Sequence, residues 1–346
     1  MQDVYPGGKP HTDSGAGMSG KFSANVAACV ALLLSTSASA QQASPIPATQ
    51  SSMFVTLGTM GGPVTDPVRS QPSNVLVAGN DVLLVDTGDA TVGQLTKAGI
   101  RLPRVKAVFL SHLHFDHAGG LAAVLGLRYQ TNVPGKLQIF GPPGTKQLVA
   151  GILASMQPAA EAGYGLDGAA IIRPDETVEV IELSDRAQTS VGNVQVHVRQ
   201  NTHYSFHAGS EMDRRFKALS FRFDLPDRSI VYTGDTGPSP AVEELARNVD
   251  LLVTEMIDVD RTVANVRRNT PDMSDAQLAG MTEHLRRHHL TPEDVGDLAK
   301  RSGAKSLVVT HVVASGAKAG ELLGYVRRIA SRYAGPVVIA NDLDAF

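Results

Sequence analysis

The sequence predicts an α/β fold of four layers, in which two β-sheets pack face to face and helices cover both outer surfaces. Each half of the chain runs from consecutive strand patterns into strand–helix units, and such a half is typical of one mixed sheet with helices against it. No linker separates the two halves, and candidate functional side chains come from both of them. We therefore expect one αβ/βα sandwich domain over residues 52–346.

The first half begins with three short apolar strands, at 53–57, 75–78 and 82–86. The last two flank Gly79-Asn80-Asp81, a sequence typical of a tight hairpin turn. Apolar positions recur with the helical period after that point and alternate with short apolar runs. These patterns predict, in order, a helix at 92–98, a strand at 107–111, a helix at 119–125, a strand at 137–140 and a helix at 144–157.

The second half repeats this style from residue 177 onward. Four strand patterns come first, at 177–183, 194–201, 218–224 and 229–233. Strand–helix alternation follows, which is typical of parallel strands with crossover helices. The predicted elements are a helix at 239–246, a strand at 251–255, a polar helical stretch at 270–288, a helix at 291–302, a strand at 306–310, a helix at 320–333 and a strand at 337–340.

Residues before position 52 are interpreted as lying outside this domain. Residues 1–17 are rich in Gly, Pro and Asp and are interpreted as an upstream extension. Residues 18–40 contain Lys21, an apolar run over 26–34 and Ala38-Ser39-Ala40, the layout of a secretory signal peptide with its cleavage site. Residues 41–51 are interpreted as a linker. We expect a periplasmic or secreted protein that has no membrane association once the signal is cleaved.

The composition is that of an ordinary globular protein, with 346 residues, 42% hydrophobic and 19% charged. The formal net charge is −3, and no block of basic residues is present. Since nucleic-acid binding usually depends on a basic surface, we interpret this balance as arguing against a nucleic-acid partner.

The segment His112-Leu-His114-Phe-Asp116-His117 follows the apolar run that ends at Ser111. Imidazole nitrogen and carboxylate oxygen are the donors that Zn²⁺ prefers in proteins. On an extended segment His112, His114 and Asp116 would point to one side, whereas His117 would point elsewhere unless the chain turns. Because Ala118-Gly119-Gly120 can supply such a turn, the pattern favours two metals close together.

Four further polar residues stand where apolar strands stop, namely Asp86, His203, Asp235 and His311. Strands of one orientation deliver the residues at their ends to the same edge of a sheet. We therefore expect these four side chains to lie near the histidine-rich segment.

With these residues the chain resembles the metallo-β-lactamase superfamily, over essentially all of residues 52–346. The His-x-His-x-Asp-His segment is similar to the signature motif of that superfamily. The resemblance implies that His112, His114 and His203 hold one Zn²⁺ and that Asp116, His117 and His311 hold a second, with Asp235 bridging both. Iron and manganese are alternatives for the same donors. Asp86 is similar to the aspartate that orients the motif loop.

Within the superfamily the chain looks most like the arylsulfatase/RNase Z branch. The segments Leu57-Gly-Thr-x-Gly-Gly-Pro63 and Arg69-x-Gln-Pro-Ser73 are similar to the opening of that branch. The segment His289-Leu-Thr is similar to its His-x-Thr segment, and Glu255 stands where the branch has the glutamate that pairs with this histidine. The resemblance implies a catalytic group of Asp116, His289 and Glu255, in which a carboxylate holds an imidazole ready to protonate a leaving oxygen.

These features predict a hydrolase that uses a hydroxide held by the metals. We expect an exported arylsulfatase- or phosphodiesterase-like enzyme whose substrate is a small anionic sulfate or phosphate ester. A lactonase or β-lactamase-type hydrolase and a non-haem iron oxidoreductase are the alternatives. A homodimer is one arrangement that the sequence leaves open.

Two other groups of residues allow more than one interpretation. The stretch 206–216, with Arg214 and Arg215, and the segment 261–268 either line the pocket for an anionic substrate or carry arginines that are solvated surface residues. His284 and His288 share a helix face, and we interpret them as exposed surface because the stronger metal motif lies elsewhere.

Overall fold

The computed structural model describes residues 51–165 and 172–346. The interpretations of residues 1–17, 18–40 and nearly all of 41–51 lie outside the described residues, so the upstream extension, the signal peptide and the linker stay predictions. Within the described ranges, no helix has the length and apolar character needed to cross a membrane.

The first sheet takes its strands in sequence order, which is the arrangement that short hairpins and right-handed crossovers produce. Strands β1 to β3 are antiparallel, and β3 to β6 are parallel. The strands are β1 (Met53–Gly58), β2 (Ser73–Ala78), β3 (Asp81–Thr87), β4 (Val105–Phe109), β5 (Leu137–Gly141) and β6 (Val178–Glu182). The helices of this half are α1 (Thr91–Lys97), α2 (Phe115–Ala118), α3 (Leu121–Gln130) and α4 (Thr145–Ala162).

The second sheet repeats the plan with an antiparallel part followed by a parallel part. Its strands are β7 (Gln188–Val191), β8 (Val194–Gln200), β9 (Leu219–Asp224), β10 (Ser229–Tyr232), β11 (Leu251–Ile257), β12 (Leu307–Val313) and β13 (Val337–Ile339). Its helices are α5 (Glu211–Arg215), α6 (Pro240–Leu245), α7 (Val259–Asn269), α8 (Asp275–His288), α9 (Pro292–Ser302) and α10 (Ala319–Ala330).

Three apolar clusters separate the layers. The central cluster lies between the sheets, where Phe109 of β4 packs edge-on against Phe221 of β9 with their ring centroids 5.5 Å apart. A second cluster fills the space between the first sheet and α1, α3 and α4, and a third lies between the second sheet and α6, α9 and α10. The predicted four-layer α/β sandwich is therefore confirmed.

Several local features differ from the sequence-based expectation. The short polar strand β7 and the helices α2, α5 and α7 were not predicted, and the predicted helical stretch at 270–288 begins only at Asp275. The strand predicted at 306–310 continues to Val313, so His311 lies within β12 rather than after it. The β11–β12 register shifts at this point, because Thr310 and His311 of β12 lie opposite the single residue Glu255 of β11.

Candidate metal centre

The segment after β4 forms an extended stretch that leads directly into the short helix α2. His114 is the last extended residue, with φ −64° and ψ 149°, and its carbonyl accepts hydrogen bonds from the amides of His117 and Ala118. Asp116 therefore lies on a helical turn with His117, and the expectation that it would extend alongside His112 is wrong. The turn begins at Phe115, ahead of the glycines that were expected to supply it.

Asp86 fixes the position of this segment through hydrogen bonds to its carboxylate. This residue is fully buried, at the end of β3, with φ +58°. Its carboxylate accepts hydrogen bonds from the Ser111 amide (2.7 Å), the Ser111 hydroxyl (2.8 Å), His117 Nδ1 (2.8 Å) and the Tyr232 hydroxyl (2.8 Å). Because Nδ1 of His117 donates to Asp86, its Nε2 presents a lone pair to the site.

The second sheet supplies the remaining predicted ligands. His203 follows β8, and its Nδ1 lies 3.3 Å from the carbonyl of His288, which leaves Nε2 as the free nitrogen. Asp235 follows β10 through Gly234, whose φ of +56° and close approach to Ser111 leave no room for a side chain. His311 projects from the bulge in β12 with φ +42°.

Three imidazole nitrogens converge on one point. Nε2 of His112 lies 3.0 Å from Nδ1 of His114, and Nε2 of His203 lies 3.1 Å from the same atom. Tetrahedral zinc with bonds of about 2.0–2.1 Å separates its ligand atoms by about 3.3 Å. These three side chains therefore form a group that could hold a metal ion.

A second group lies beside the first. Asp235 Oδ1 is 3.2 Å from His117 Nε2 and 3.1 Å from His311 Nε2, and Asp116 Oδ2 is 3.6 Å and 3.7 Å from the same two nitrogens. His117 Nε2 and Asp235 Oδ1 are buried and have no hydrogen-bond partner. Since buried polar atoms are normally satisfied, these two atoms fit a divalent cation.

Burial and neighbouring charges shift the pKa values in both groups. Burial would lower the pKa of His117, but the carboxylates of Asp235, Asp116 and Asp86 raise it well above its usual range. Burial and the neighbouring imidazole of His117 keep the pKa of His112 well below its usual range, so its ring is neutral, the form that binds metals. Burial alone would raise the pKa of Asp235, but His311 and His117 lower it well below its usual range. Asp116 likewise has a pKa lowered to about 2, because the imidazoles of His117 and His311 outweigh its burial.

His289 and Glu255 form a buried pair next to these groups. Glu255 Oε2 lies 2.7 Å from His289 Nδ1, and Glu255 Oε1 accepts a hydrogen bond from the amide of Thr236, 2.7 Å away. Burial opposes protonation of His289, but Glu255 outweighs it and raises the pKa of His289 to about 9. The ring of His289 lies 4.9 Å from that of His203, so the pair borders the candidate metal site.

Two further residues at the site were missed or misinterpreted from the sequence. Tyr204 lies against His114 and His203, with both centroid distances 5.3 Å. His284 was interpreted as exposed surface, which is wrong: it is half-buried, its Nδ1 lies 2.7 Å from the Ser205 hydroxyl, and its ring lies 6.2 Å from that of His203. The aromatic run around Tyr204 was the available signal for the first residue.

The two groups of arginines have different surroundings in the structure. The guanidinium of Arg215 stacks over the ring of Phe216 at 5.1 Å. In α7, Arg261 pairs with Glu321 and Arg267 pairs with Asp275, so both side chains take part in surface ion pairs.

The chain is similar to known proteins over most of its length. The sequence model of the beta-lactamase superfamily domain matches residues 82–312. Ribonuclease Z of Mycobacterium marinum is 29% identical over 84% of this chain and 96% of its own length, and ribonuclease Z of Mycolicibacterium paratuberculosis is 30% identical over the same shares.

Solved structures show the same fold. The metallo-beta-lactamase fold protein YhfI from Bacillus subtilis has a TM-score of 0.59 and 18% identity, and covers 85% of this chain and 98% of its own. The short form of human tRNase Z has a TM-score of 0.57 and 21% identity over the same shares.

These relatives correct two predictions. The expectation of an enzyme for small sulfate or phosphate esters, with its lactonase and oxidoreductase alternatives, is wrong because the relatives are ribonucleases. The exclusion of a nucleic-acid partner is wrong for the same reason. It rested on the net charge of the whole chain, which does not describe the charge at one site, where bound cations add to it. The periplasmic or secreted location stays a prediction.

Proposed function

Since this chain belongs to the metallo-β-lactamase superfamily, in its ribonuclease Z branch, we propose that it is a metal-dependent ribonuclease that hydrolyses a phosphodiester bond in RNA of the tRNA type. The observation that carries the proposal is the buried His289–Glu255 pair beside the two groups of candidate ligands. A phosphodiester has a poor leaving group, and a protonated imidazole next to the reacting phosphate is the group that it requires.

The ligand assignment is part of this proposal. His112, His114 and His203 would hold one zinc ion, and Asp116, His117 and His311 would hold a second, with Asp235 shared between them. When bound, such ions supply Lewis acidity to the phosphoryl group and lower the pKa of water.

The chain's own residues perform the remaining tasks. Asp86 fixes the tautomer of His117 and thereby the direction of its Nε2. Glu255 Oε2 accepts a hydrogen bond from the Nδ1–H of His289 and favours the charged ring, in which Nε2 holds a second proton. As a bond forms between phosphorus and a water oxygen, that water releases one proton to solvent. The bond from phosphorus to the ribose oxygen breaks, and His289 delivers the proton on its Nε2 to that departing oxygen. A proton from solvent then restores the charged imidazole.

The test compares leaving groups in a set of variants. Zinc-loaded protein should cleave a tRNA precursor, and His289→Ala should reduce kcat by roughly 10²–10⁴, the usual effect of losing a general acid. Glu255→Gln should show a smaller loss, because the imidazole keeps a hydrogen-bond acceptor but loses the stabilising charge. A nucleotide 4-nitrophenyl ester should be affected least in both variants, since its leaving group departs as a stable anion.

His197→Ala provides the matched control. His197 also faces a carboxylate, with its Nε2 3.3 Å from Asp224 Oδ2, but it lies on the partly exposed surface of β8. This variant should retain full activity. The proposed function is wrong if zinc-loaded wild-type protein leaves tRNA precursors intact, and the role of His289 is wrong if its removal slows both substrates equally or empties the metal site.

A further inference from the structure

A cleft of about 540 Å³ opens beside the candidate metal centre, between helix α4 and the segment that contains α5. Its walls are mostly apolar, and the residues that matter for the argument are Leu113, Leu148, Gly151, Ile152, Arg215 and Phe216. Leu113 stands between two predicted metal ligands in the sequence, so the cleft begins at the motif loop itself.

A row of aromatic rings connects the cleft to the metal centre. Tyr204 packs against His114, Phe206 follows with its centroid 5.2 Å from that of Tyr204, and Phe216 follows with its centroid 6.4 Å from that of Phe206. Consecutive rings at such spacings are within the range of aromatic contact. A substrate whose phosphate lies at the metal centre can therefore place its adjoining group along this row.

The chemistry of the cleft indicates what that group is. Apolar and aromatic walls bind a flat ring by stacking, and Gln147 and Ser155 in the lining can hydrogen-bond to polar atoms on the edge of such a ring. The guanidinium of Arg215 lies at the rim, stacked on Phe216 and about half exposed, and the exposed carboxylate of Glu211, 3.7 Å from its Nη1, offsets only part of its positive charge. Stacking surface together with positive charge suits a base attached to a phosphodiester backbone.

We propose that this cleft binds the nucleobase next to the scissile phosphodiester. The proposal rests on the proposed function and adds a base-binding subsite to it. Stacking on Phe216 and Phe206 holds the base, and Arg215 contacts the neighbouring phosphate.

Gly151 allows a direct test, because it lines the cleft and a Cβ atom added there would meet no atom from outside its own helical turn within 4 Å. Gly151→Leu would place an apolar side chain in the cleft and would favour helix α4, since leucine has the higher helix propensity. Gly324→Leu is the matched control, because Gly324 lies on α10, also has open space around it and is absent from the cleft lining.

The probe is 2-aminopurine ribonucleoside 5′-monophosphate, whose fluorescence is quenched when its base stacks. We expect saturable quenching by the wild-type protein and by Gly324→Leu. Gly151→Leu and Phe216→Ala should weaken binding by roughly 5- to 100-fold, the loss expected for one stacked base. For RNA, the same two variants should raise KM by a similar factor.

The outcomes separate the two proposals. If the wild-type protein cleaves RNA but Gly151→Leu matches it in quenching and in KM, the base subsite is wrong and the ribonuclease function stands. If RNA stays intact while quenching depends on Gly151 and Phe216, the ribonuclease function is wrong and the cleft is supported as a nucleobase site.

Discussion

Asp86 joins three parts of the molecule through one carboxylate. Its partners are Ser111 in the motif loop, His117 in the candidate metal site and Tyr232 in the opposite sheet, and all of them are buried. A buried carboxylate that accepts several hydrogen bonds is difficult to replace, because without it each buried donor has neither a protein acceptor nor water to bond to.

Replacing this carboxylate should weaken folding and metal binding together. Asp86→Ala leaves the donors of Ser111, His117 and Tyr232 without an acceptor, so we expect a loss of about 3–5 kcal/mol in the free energy of unfolding. Zinc affinity should fall by roughly 10–100-fold, because His117 is no longer oriented. Asp86→Asn should have a stability and a zinc affinity between those of the wild type and of Asp86→Ala, since asparagine keeps one acceptor oxygen and tolerates the positive φ. Urea unfolding measures the stability, and competition with a chelator measures the zinc affinity. Wild-type values of both in Asp86→Ala would contradict this role.

Individual site residues differed in how far the sequence could predict them. His203 and Asp235 follow apolar strands, and the ends of such strands meet at one edge of a sheet, so their proximity was predictable. His311 was placed near the site by the same argument, but the bulge that orients it depends on the pairing of β11 with β12. Tyr204 and His284 lie on a loop and on a polar helix, where no periodicity indicates which side chains face the site.

Helix α9 begins three residues after His289, and its first turn is closed by a capping box. Thr291 accepts a hydrogen bond from the amide of Asp294, and the Asp294 carboxylate accepts from the amide and hydroxyl of Thr291. Pro292 occupies the first helical position and Gly303 ends the helix with φ +69°. This cap fixes the point at which the chain leaves His289.

Removing the cap should cost stability without changing the core. Thr291→Ala should lower the free energy of unfolding by about 1 kcal/mol, because the first turn of α9 loses a hydrogen bond that water replaces only in part. Thr291→Ser keeps the hydroxyl and should remain close to wild type. The midpoint of urea unfolding measures both variants, and equal midpoints for the alanine and serine variants would show that the capping hydrogen bond contributes nothing.

The elements were predictable where apolar residues repeat with a regular period. Helix α9 was expected at 291–302 and runs over Pro292–Ser302, because its buried face, its cap and its final glycine agree. Helix α7 has Val259, Val263 and Val266 at helical spacing, but its other positions are mostly polar and only Val259 is buried, so this short signal was missed. Strand β7, with the sequence Gln-Thr-Ser-Val, is polar and is defined by its pairing with β8 rather than by its own composition.

At the scale of the whole molecule, the four-layer sandwich was predictable and the substrate was not. Layers follow from the order of strand and helix patterns, which the whole sequence contains. Substrate choice depends on the shape and charge of one opening. The net charge of −3 describes the whole chain and says little about the charge at that opening. The interpretation of residues 18–40 as a signal peptide stays a prediction.

The candidate ligands come from both sheets, so bound metal should stabilise the entire sandwich. We expect protein freed of metal with a chelator to melt roughly 5–10 °C below zinc-loaded protein when free zinc exceeds Kd about a thousandfold. Asp235→Ala should lose most of this difference, because the proposed assignment shares Asp235 between the two ions and its Oδ1 lies 3.2 Å from His117 Nε2 and 3.1 Å from His311 Nε2. Differential scanning calorimetry measures the shift, and identical melting temperatures with and without zinc would contradict binding at this site.

The distance along the chain between the site's components also determines when the site can form. The hydrogen bond from Tyr232 to Asp86 joins residues 146 positions apart, and His311 contributes from β12, still later in the chain. Loop-closure entropy opposes such contacts until most of the native topology exists. The candidate metal centre therefore forms late in folding and cannot serve as the folding nucleus. A metal ion that enters so late prolongs the lifetime of the native state and leaves the speed of its formation almost unchanged.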